Sequence, residues 1–275
     1  MPTISALMTV YRGTGATELR HALDSLFIQM RPADEVVLVL DGPVSDEVRH
    51  VVGDYSEKRT EVRVIELPEN VGSGPASQAG VDAISFDYIA RLDSDDIAHP
   101  SRFEKQLAFM ESHPDVAALG TAVREFEDET ADLDAGPVRS LPETHEEIAS
   151  YARINSPLNN PSTMLRTATI KEVGGYEGVH FMEDYDLWAR LIAAGKKLHN
   201  LPEPLTYFRV SPAQFARRTG KGMFAAEREM QSRLVTYGLV GPWRARFNLA
   251  VRTAYRLLPT AVLTRVYTRL FHHSR

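Results

Sequence analysis

The feature that most constrains the fold is an unbroken apolar run early in the chain. The segment Glu35–Leu40, with sequence EVVLVL, contains three valines and shows no alternation of apolar with polar residues. A strand that is apolar at consecutive positions is typical of a parallel sheet, because helices cover both faces of such a sheet. The run therefore predicts an interior strand of a parallel sheet.

Similar runs alternate with amphipathic segments through the first hundred residues. Further strands are predicted at Ile4–Val10, Val62–Leu67 and Tyr88–Leu92, and helices at Thr17–Met30, 44–55 and 75–84. This alternation favours right-handed βαβ units. We therefore predict an α/β, Rossmann-like fold with a mostly parallel sheet flanked by helices, in which residues 1–98 form the nucleotide-binding half.

The rest of the chain continues the mixed pattern and then becomes helical. Predicted helices are Arg102–Ser112, 143–153 and Asp184–Ala194, and predicted strands are Val116–Phe126 and Thr163–Arg166. Leu201–Val210 is predicted to be extended, and its two prolines, Pro202 and Pro204, place it at an edge of the sheet. Residues 99–215 thus complete the domain, and residues 216–275 form an extension with helices at 221–237, 242–257 and 260–272.

A cluster of acids follows the predicted strand Tyr88–Leu92. Asp93, Asp95 and Asp96 lie within four positions, and ligands of open α/β sheets bind at the carboxyl ends of the strands. Oxygen ligands in such a cluster suit Mg²⁺ or Mn²⁺. The alternative is a solvated acidic turn at the start of the helix that Pro100 opens.

Two other strand ends carry candidate binding residues. Asp41 ends the second strand, so its carboxylate should face the same crevice as Asp95 and could accept a hydrogen bond from a base or a ribose. The alternative for Asp41 is turn chemistry, since Asp-Gly is a turn dipeptide. Tyr11 ends the first strand, where its ring could stack on a base or could simply pack at an interface.

Glu183 and Asp184 begin a predicted helix. Acids in a first helical turn are favoured by the helix dipole, which is one explanation of the pair. If the helix starts beside the crevice, one carboxylate could act as a general base. The neighbouring Phe181 and Met182 would then desolvate that carboxylate and raise its pKa.

Composition excludes several classes of protein. The chain has no cysteine, so neither disulfides nor thiolate chemistry can operate, which fits a reducing compartment. Its N-terminus lacks the basic and apolar regions of a signal peptide, and no apolar run reaches the length of a membrane span. We therefore expect a cytoplasmic protein.

The charge is distributed unevenly. Eight of the 31 basic residues lie after Glu229, where there is no acid, whereas residues 1–229 hold the other 23 and all 37 acids. The acidic body argues against nucleic-acid binding. Residues 240–275 interleave arginine with apolar residues, which predicts peripheral contact with the inner face of the cell membrane. The alternatives are helices folded on the acidic body and a homodimer interface.

Several segments together resemble a known family. The chain is similar, from about Ser5 to Val210, to the inverting family 2 glycosyltransferases of the GT-A fold, most closely to those of bacterial exopolysaccharide and capsule synthesis. The segments that carry the resemblance occur in the family's order: VLVLDGP (Val37–Pro43), ENVGSGPASQAG (Glu69–Gly80), YIARLDSDDIAHPSRFEKQ (Tyr88–Gln106), NNPSTMLR (Asn159–Arg166), VGGY (Val173–Tyr176), MEDYDLWARL (Met182–Leu191) and NLPEPLTYFRV (Asn200–Val210).

The resemblance implies a function and a set of site residues. It implies transfer of a sugar from a UDP- or dTDP-linked donor to a saccharide or lipid-linked acceptor, with residues 99–215 as the acceptor half. The residues implied to bind the nucleotide sugar are Thr9, Tyr11, Asp41, Asn70, Gly72, Arg91 and Asp93. Asp95 and Asp93, a D-x-D pair, are implied to hold Mn²⁺ or Mg²⁺. Asp184 is implied to be the catalytic base, with Glu183 and Trp188 on the acceptor side.

Two other functions remain open at this point. A sugar-nucleotide nucleotidyltransferase also combines an α/β nucleotide-binding half with an Asp-bound Mg²⁺. A catalytically inactive, carbohydrate-binding relative is the second, because Ala76-Ser77-Gln78 stands where family members often have Ala-Arg-Asn.

Overall fold

The computed structural model describes residues 2–127, 132–210 and 221–256. These residues form one nine-stranded sheet. The strands are β1 (Ile4–Tyr11), β2 (Glu35–Asp41), β3 (Val62–Glu66), β4 (Tyr88–Arg91), β5 (Ile97–Ala98), β6 (Val116–Phe126), β7 (Val138–Arg139), β8 (Met164–Arg166) and β9 (Lys197–Arg209). Their order is β3-β2-β1-β4-β8-β6-β9-β5, and β7 pairs with β6 beside this path.

Helices cover the sheet and continue beyond it. They are α1 (Ala16–Phe27), α2 (Asp46–Lys58), α3 (Ser73–Ala83), α4 (Arg102–Ser112), α5 (His145–Tyr151), α6 (Thr167–Glu172), α7 (Glu183–Ala193), α8 (Lys221–Thr236) and α9 (Pro242–Arg256). Where it is described, the chain has no helix with both the length and the apolar content needed to cross a bilayer. The helix predicted at 260–272 lies outside the described residues.

The first four strands of the fold form the predicted parallel block. β1 pairs in parallel with both β2 and β4, and β2 pairs in parallel with β3. β8 then enters antiparallel between β4 and β6, whereas the long pair β6–β9 is again parallel. The sheet is therefore mixed, but most of its paired residues lie in parallel strands, as the alternation of strands and helices predicts.

Alternating residues of the same strand enter separate cores. In β2, Leu38 belongs to a core that includes residues of α1, α2 and α4, while the neighbouring Val37 and Val39 belong to one that includes residues of α3, α6 and α7. These side chains are completely buried. The apolar run at residues 35–40 is thus explained by helices on both faces of the sheet.

The prediction that Leu201–Val210 lies at a sheet edge is wrong. β9 runs between β6 and the two-residue strand β5, which pairs with Thr206 and Tyr207. The prolines are tolerated because the β6–β9 register shifts where they occur, with Leu201 opposite Thr121 and Pro204 opposite the next residue, Ala122. Such an irregularity frees the chain from the regular ladder that proline would interrupt.

The C-terminal helices pack on the outer side of α7. Their apolar residues, including Met230 and Leu234 of α8, form a third core with Tyr185 and Ala189 of α7. Because α7 also packs on the sheet, it lies between the main domain and the α8–α9 pair.

Candidate active site

The strand β4 ends in a carboxylate supported by a buried arginine. Asp93 keeps 38% of its side chain exposed, and its Oδ1 lies 3.4 Å from an Arg91 guanidinium nitrogen. Arg91 is fully buried and also donates to the carbonyl of Leu7 at 3.1 Å. The Arg91 guanidinium thus lies beneath the surface and pairs with Asp93, and its contact with the nucleotide sugar remains a prediction.

The three acids after β4 form one electrostatic cluster. Burial raises the pKa of Asp96 well above its usual range, and the charges of Asp95 and Asp93 raise it further. Desolvation also raises the pKa of Asp93, against the opposing effect of Arg91 and Arg102. Asp93 and Asp95 are partly exposed, so two of the three carboxylates can reach a ligand.

Asp96 holds the cluster to β9. Its Oδ1 accepts a hydrogen bond from the backbone N–H of Arg209 at 2.8 Å, and the Arg209 side chain donates to the carbonyl of Asp95 at 3.0 Å. The other oxygen of Asp96 is buried without a hydrogen-bond partner among the described residues. This concentration of negative charge, with one carboxylate oxygen left unsatisfied, fits a divalent cation bound by Asp93 and Asp95.

The described residues contain no group of three or more acids, histidines or cysteines placed to hold a metal by themselves. A Mg²⁺-like ion usually takes only one or two carboxylates and completes its shell with water and substrate phosphates. The donor set in the cleft is thus sufficient for an ion that binds together with a diphosphate.

Asp184 lies in the first turn of α7 and is partly exposed. Burial raises its pKa to about 7, and the charges of Glu183 and Asp93 contribute to the rise. Its oxygens accept hydrogen bonds from the N–H of Tyr185 at 2.7 Å and from Ser156 Oγ at 3.4 Å. The charge of Asp93, which follows β4, thus acts on an acid of α7, a relation that the sequence leaves undecided.

Tyr176 connects the two sides of the cleft. Its ring lies 5.9 Å from the Arg91 guanidinium, and its hydroxyl donates to Asn160 Oδ1 at 3.1 Å. Burial raises the pKa of Tyr176, and the charges of Asp184 and Asp93 both act on it. The phenol is therefore neutral and within electrostatic range of both carboxylates.

At the other end of the cleft, Asp41 supports a loop. Its carboxylate accepts three hydrogen bonds, from the side chain of Asn70 and from the N–H groups of Val71 and Gly72, at 2.7–3.1 Å. A carboxylate can accept about four, and Asp41 is buried. Its observed contacts agree with the turn-chemistry alternative, and its contact with a base remains a prediction.

Tyr11 lies beside Asp41 in the β1–β2 register and keeps 38% of its surface exposed. A Cβ placed on Gly13 would come within 2.6 Å of the Tyr11 ring, so the absence of a side chain at residue 13 leaves room for that ring. Thr9, two residues earlier on β1, is also partly exposed. Both residues are accessible from the carboxyl ends of the strands.

Trp188 is fully buried in the core between the sheet and α7, together with Leu191. Its predicted place on the acceptor side remains a prediction, with its side chain beneath the surface. Glu183 is partly exposed, and its Cβ lies 3.1 Å from the position that a side chain at Gly74 would occupy. Of the two predicted acceptor residues, only Glu183 can reach a ligand.

Ser156, Tyr176 and Gln78 shape the cleft but were not predicted as site residues. Gln78 Oε1 accepts a hydrogen bond from the backbone N–H of Tyr176 at 2.6 Å. Gln78, which lies in the segment where relatives often have Ala-Arg-Asn, therefore stabilises the Val173–Tyr176 turn. The motif VGGY marks that turn, but no periodic signal in the sequence links it to α3 or to Ser156.

Two family models match this chain. The family model described as glycosyl transferase family 2 matches residues 5–170, and the one described as glycosyl transferase family group 2 matches residues 88–268.

Curated relatives match over nearly their whole length. An uncharacterized glycosyltransferase of Haemophilus influenzae is 35% identical over 96% of this chain and 97% of its own. The amylovoran biosynthesis glycosyltransferase AmsE of Erwinia amylovora is 32% identical over 96% and 98%. The UDP-Gal:alpha-D-GlcNAc-diphosphoundecaprenol beta-1,3-galactosyltransferase of Escherichia coli is 30% identical over 98% and 96%.

Solved structures share the fold at low sequence identity. S. aureus TarS 1-349 in complex with UDP-GlcNAc is similar with a TM-score of 0.65 at 16% identity, covering 98% of this chain and 73% of that one. The mannosyltransferase PcManGT of Pyrobaculum calidifontis, in complex with GDP-Man and Mn²⁺, is similar with a TM-score of 0.64 at 16% identity, covering 98% and 80%. These similarities establish a GT-A architecture.

Proposed function

This chain belongs to glycosyl transferase family 2, and from that premise we propose that it transfers a sugar from a UDP-linked donor to a hydroxyl of a saccharide or lipid-linked acceptor. The transfer would serve bacterial cell-surface polysaccharide synthesis, require a divalent cation and invert the anomeric centre. The observation that carries the proposal is the effect of the Asp93 charge on Asp184, together with Tyr176, whose ring lies 5.9 Å from the Arg91 guanidinium that pairs with Asp93.

The donor side is assigned to residues 1–98. Thr9, Tyr11 and the loop around Asn70 and Gly72 surround the carboxyl ends of β1 and β2, where nucleotides bind in open α/β sheets. A similar E. coli protein is named for a UDP-Gal donor, and TarS was solved with UDP-GlcNAc. Both support uridine as the base, with dTDP as the alternative.

Asp95 and Asp93 would hold the cation, as Mn²⁺ or Mg²⁺. Two observations support this assignment of Asp93 and Asp95 as cation ligands. Negative charge is concentrated around Asp96, and the similar mannosyltransferase PcManGT was solved with Mn²⁺. The bound ion would neutralise the charge that develops on the leaving diphosphate.

The acceptor side is assigned to residues 99–215, with Asp184 as base. The acceptor oxygen attacks the anomeric carbon while the bond to the diphosphate oxygen breaks, and the hydroxyl proton passes to Asp184. A carboxyl with a pKa of about 7 is suited to this step at neutral pH. A single displacement inverts the centre, whereas retention through a covalent intermediate requires a second, nucleophilic carboxylate.

The test is incubation of the purified protein with a panel of nucleotide sugars, Mn²⁺ and candidate acceptors. We expect UDP release that requires the acceptor, a product of inverted anomeric configuration by NMR, and loss of turnover in Asp184→Asn. Formation of a nucleoside triphosphate from pyrophosphate would instead identify a nucleotidyltransferase.

Cation binding has its own test. Asp95→Ala should reduce calorimetric affinity for the nucleotide sugar in Mn²⁺ to the level measured with chelator, while the melting temperature stays within a few degrees of the parent protein, as expected of a partly exposed side chain. Unchanged affinity in Mn²⁺ would contradict the assignment of Asp95 as a ligand.

A further inference from the structure

Helix α9 exposes its apolar residues instead of burying them. Trp243, Phe247 and Val251 are 79%, 62% and 50% exposed. Their spacing of four residues places them on one face of the helix, and the exposed alanines Ala250 and Ala254 extend the same face. We call Trp243, Phe247, Ala250, Val251 and Ala254 the apolar face of α9.

The opposite face of α9 packs on the protein through the buried Ala245 and through two polar side chains. Asn248 is buried and donates to the carbonyl of Arg153 at 2.7 Å. Arg252 donates to the carbonyl of Ile154 at 2.7 Å and pairs with the buried carboxylate of Glu227. These bonds fix the rotation of the helix, because turning the apolar face inward would remove these partners from Asn248 and Glu227.

Positive charge borders the apolar face. Arg244 and Arg246 are exposed, and the Arg246 guanidinium lies 4.9 Å from the centre of the Trp243 ring. The sequence of α9 contains no acid, and none occurs after Glu229. A tryptophan with arginines beside an apolar stripe is suited to the boundary between lipid headgroups and acyl chains.

We propose that the apolar face of α9 is a docking surface for an anionic lipid bilayer, with Trp243, Phe247 and Val251 inserted at the headgroup boundary. An anionic surface is the partner that fits, because each arginine near such a surface contributes attraction that a neutral apolar partner would not supply. A second copy of the chain would bring the same arginines together and would be repelled by them.

The docking surface is structurally connected to the cleft. α9 is bonded to the carbonyls of Arg153 and Ile154, and Arg252 donates to Asn155 at 3.1 Å. The next residue, Ser156, is the hydrogen-bond partner of Asp184. Docking would therefore hold the segment that contacts Asp184 next to the membrane-bound helix, which favours a lipid-linked acceptor; this last step, unlike membrane binding, depends on the proposed function.

Vesicle binding tests the proposal without any substrate. The full chain should float with vesicles of equimolar phosphatidylcholine and phosphatidylglycerol, and far less with phosphatidylcholine alone. The chain has two tryptophans, of which Trp188 is buried and Trp243 is exposed. Binding should therefore shift the emission of Trp243 to the blue and protect it from acrylamide, and Trp243→Phe should remove this response.

Two matched variants distinguish binding through the apolar face of α9 from non-specific hydrophobic binding elsewhere on the surface. Trp243→Ser/Phe247→Ser/Val251→Ser should weaken binding to the anionic vesicles by about tenfold or more, whereas Ile28→Ser/Met30→Ser, which alters side chains that are 63% and 67% exposed, should leave it unchanged. Circular dichroism confirms that both variants are folded.

Three outcomes would overturn the proposal. One is vesicle binding that the triple variant leaves intact, which would move the contact elsewhere in the chain. Another is a lipid-free dimer that the triple variant converts to monomer without any vesicle binding by the parent. The third is Trp243 emission that is already blue and protected without lipid, which would mean that another part of the chain covers the face. Because none of these measurements uses a sugar donor, failure of the proposed function would leave their result unaffected.

Discussion

At the scale of single residues, Asp184 combines the environment and the position expected of a base. Burial, Glu183 and Asp93 oppose its ionisation, whereas the Tyr185 N–H and the Ser156 hydroxyl favour it. The helix dipole of α7 would lower the pKa of an acid in its first turn, yet the pKa rises to about 7, so desolvation outweighs the dipole. An acid in this state is ionised for part of the time near neutral pH.

The raised pKa makes a prediction about stability. The folded protein holds a proton on Asp184 that the unfolded chain releases above about pH 4, so the free energy of unfolding falls as pH rises from about 4 to about 7. Asp184→Asn removes this fall. We expect the variant to be more stable than the parent at pH 8 by roughly 1–2 kcal/mol, after allowance for partial exposure, in urea denaturation.

The control for this prediction is the same comparison at low pH. Near pH 4 the parent carries a neutral Asp184, so the difference between parent and variant should nearly vanish. An equal difference at both pH values would mean that the substitution acts through packing and not through charge.

The hydroxyl of Ser156 should affect the pH dependence of turnover. Turnover should rise with pH through an apparent pKa near 7, because the base must be ionised to accept the proton. Ser156→Ala removes a hydrogen bond that favours the ionised form, so the profile should move to higher pH while the rate at its plateau changes little. A profile that shifts to lower pH would contradict this role.

At the scale of elements, the start of α3 sets the position of the segment that leads into α7. A Cβ on Gly74 would lie 2.8 Å from the carbonyl oxygen of Glu177 and 3.1 Å from Glu183 Cβ. Real side chains do not tolerate the first distance, so this contact requires glycine.

Gly74→Ala should therefore displace the acidic turn of α7 and reduce kcat by about tenfold or more, since small misplacements of catalytic groups are costly. Gly53 in α2 is the matched control, because a Cβ there meets nothing within 4 Å. Gly53→Ala should leave kcat unchanged and raise the free energy of unfolding by about 0.5–1 kcal/mol. Equal effects of the two substitutions on kcat would refute the positional argument.

At the scale of the whole molecule, one buried acid joins the C-terminal helices to the main domain. Asp186 of α7 is fully buried and contacts Arg190 at 2.8 Å, Arg233 of α8 at 3.4 Å and the hydroxyl of Tyr237 at 2.7 Å. Arg233 also pairs with Glu177 at 2.7 Å. The α8–α9 pair should consequently unfold together with the domain.

Arg233→Met should lower the free energy of unfolding by about 1–3 kcal/mol, because it leaves three acids, Asp186, Glu177 and Glu229, with fewer partners. Arg228→Met is the control, since Arg228 is exposed on the same helix and should change stability by less than about 0.5 kcal/mol. Calorimetry should show a single transition for both variants. A separate early transition in the parent protein would show that α8 and α9 form an independent unit.

The predicted site residues differ in where the structure places them. Asp93 and Asp184 lie in motifs that occur in the family's order; both are partly exposed, and the charge of Asp93 acts on Asp184, while their roles remain predictions. Arg91 and Trp188 belong to the same motifs, yet both are buried. A motif defines which residue types occur together, but burial depends on elements far apart in the chain. Arg91, for example, lies near the ring of Tyr176, which belongs to a turn more than eighty residues later.

The sequence by itself determined the alternation of strands and helices, the two-faced burial of β2 and the family, because these depend on local periodicity and ordered motifs. Only the tertiary structure decided that the charge of Asp93 acts on Asp184 and that α9 turns Asn248 and Arg252 toward the protein. An amphipathic helix can present either face outward, and here Glu227 and the carbonyls of Arg153 and Ile154 supply hydrogen bonds that hold the polar face inward.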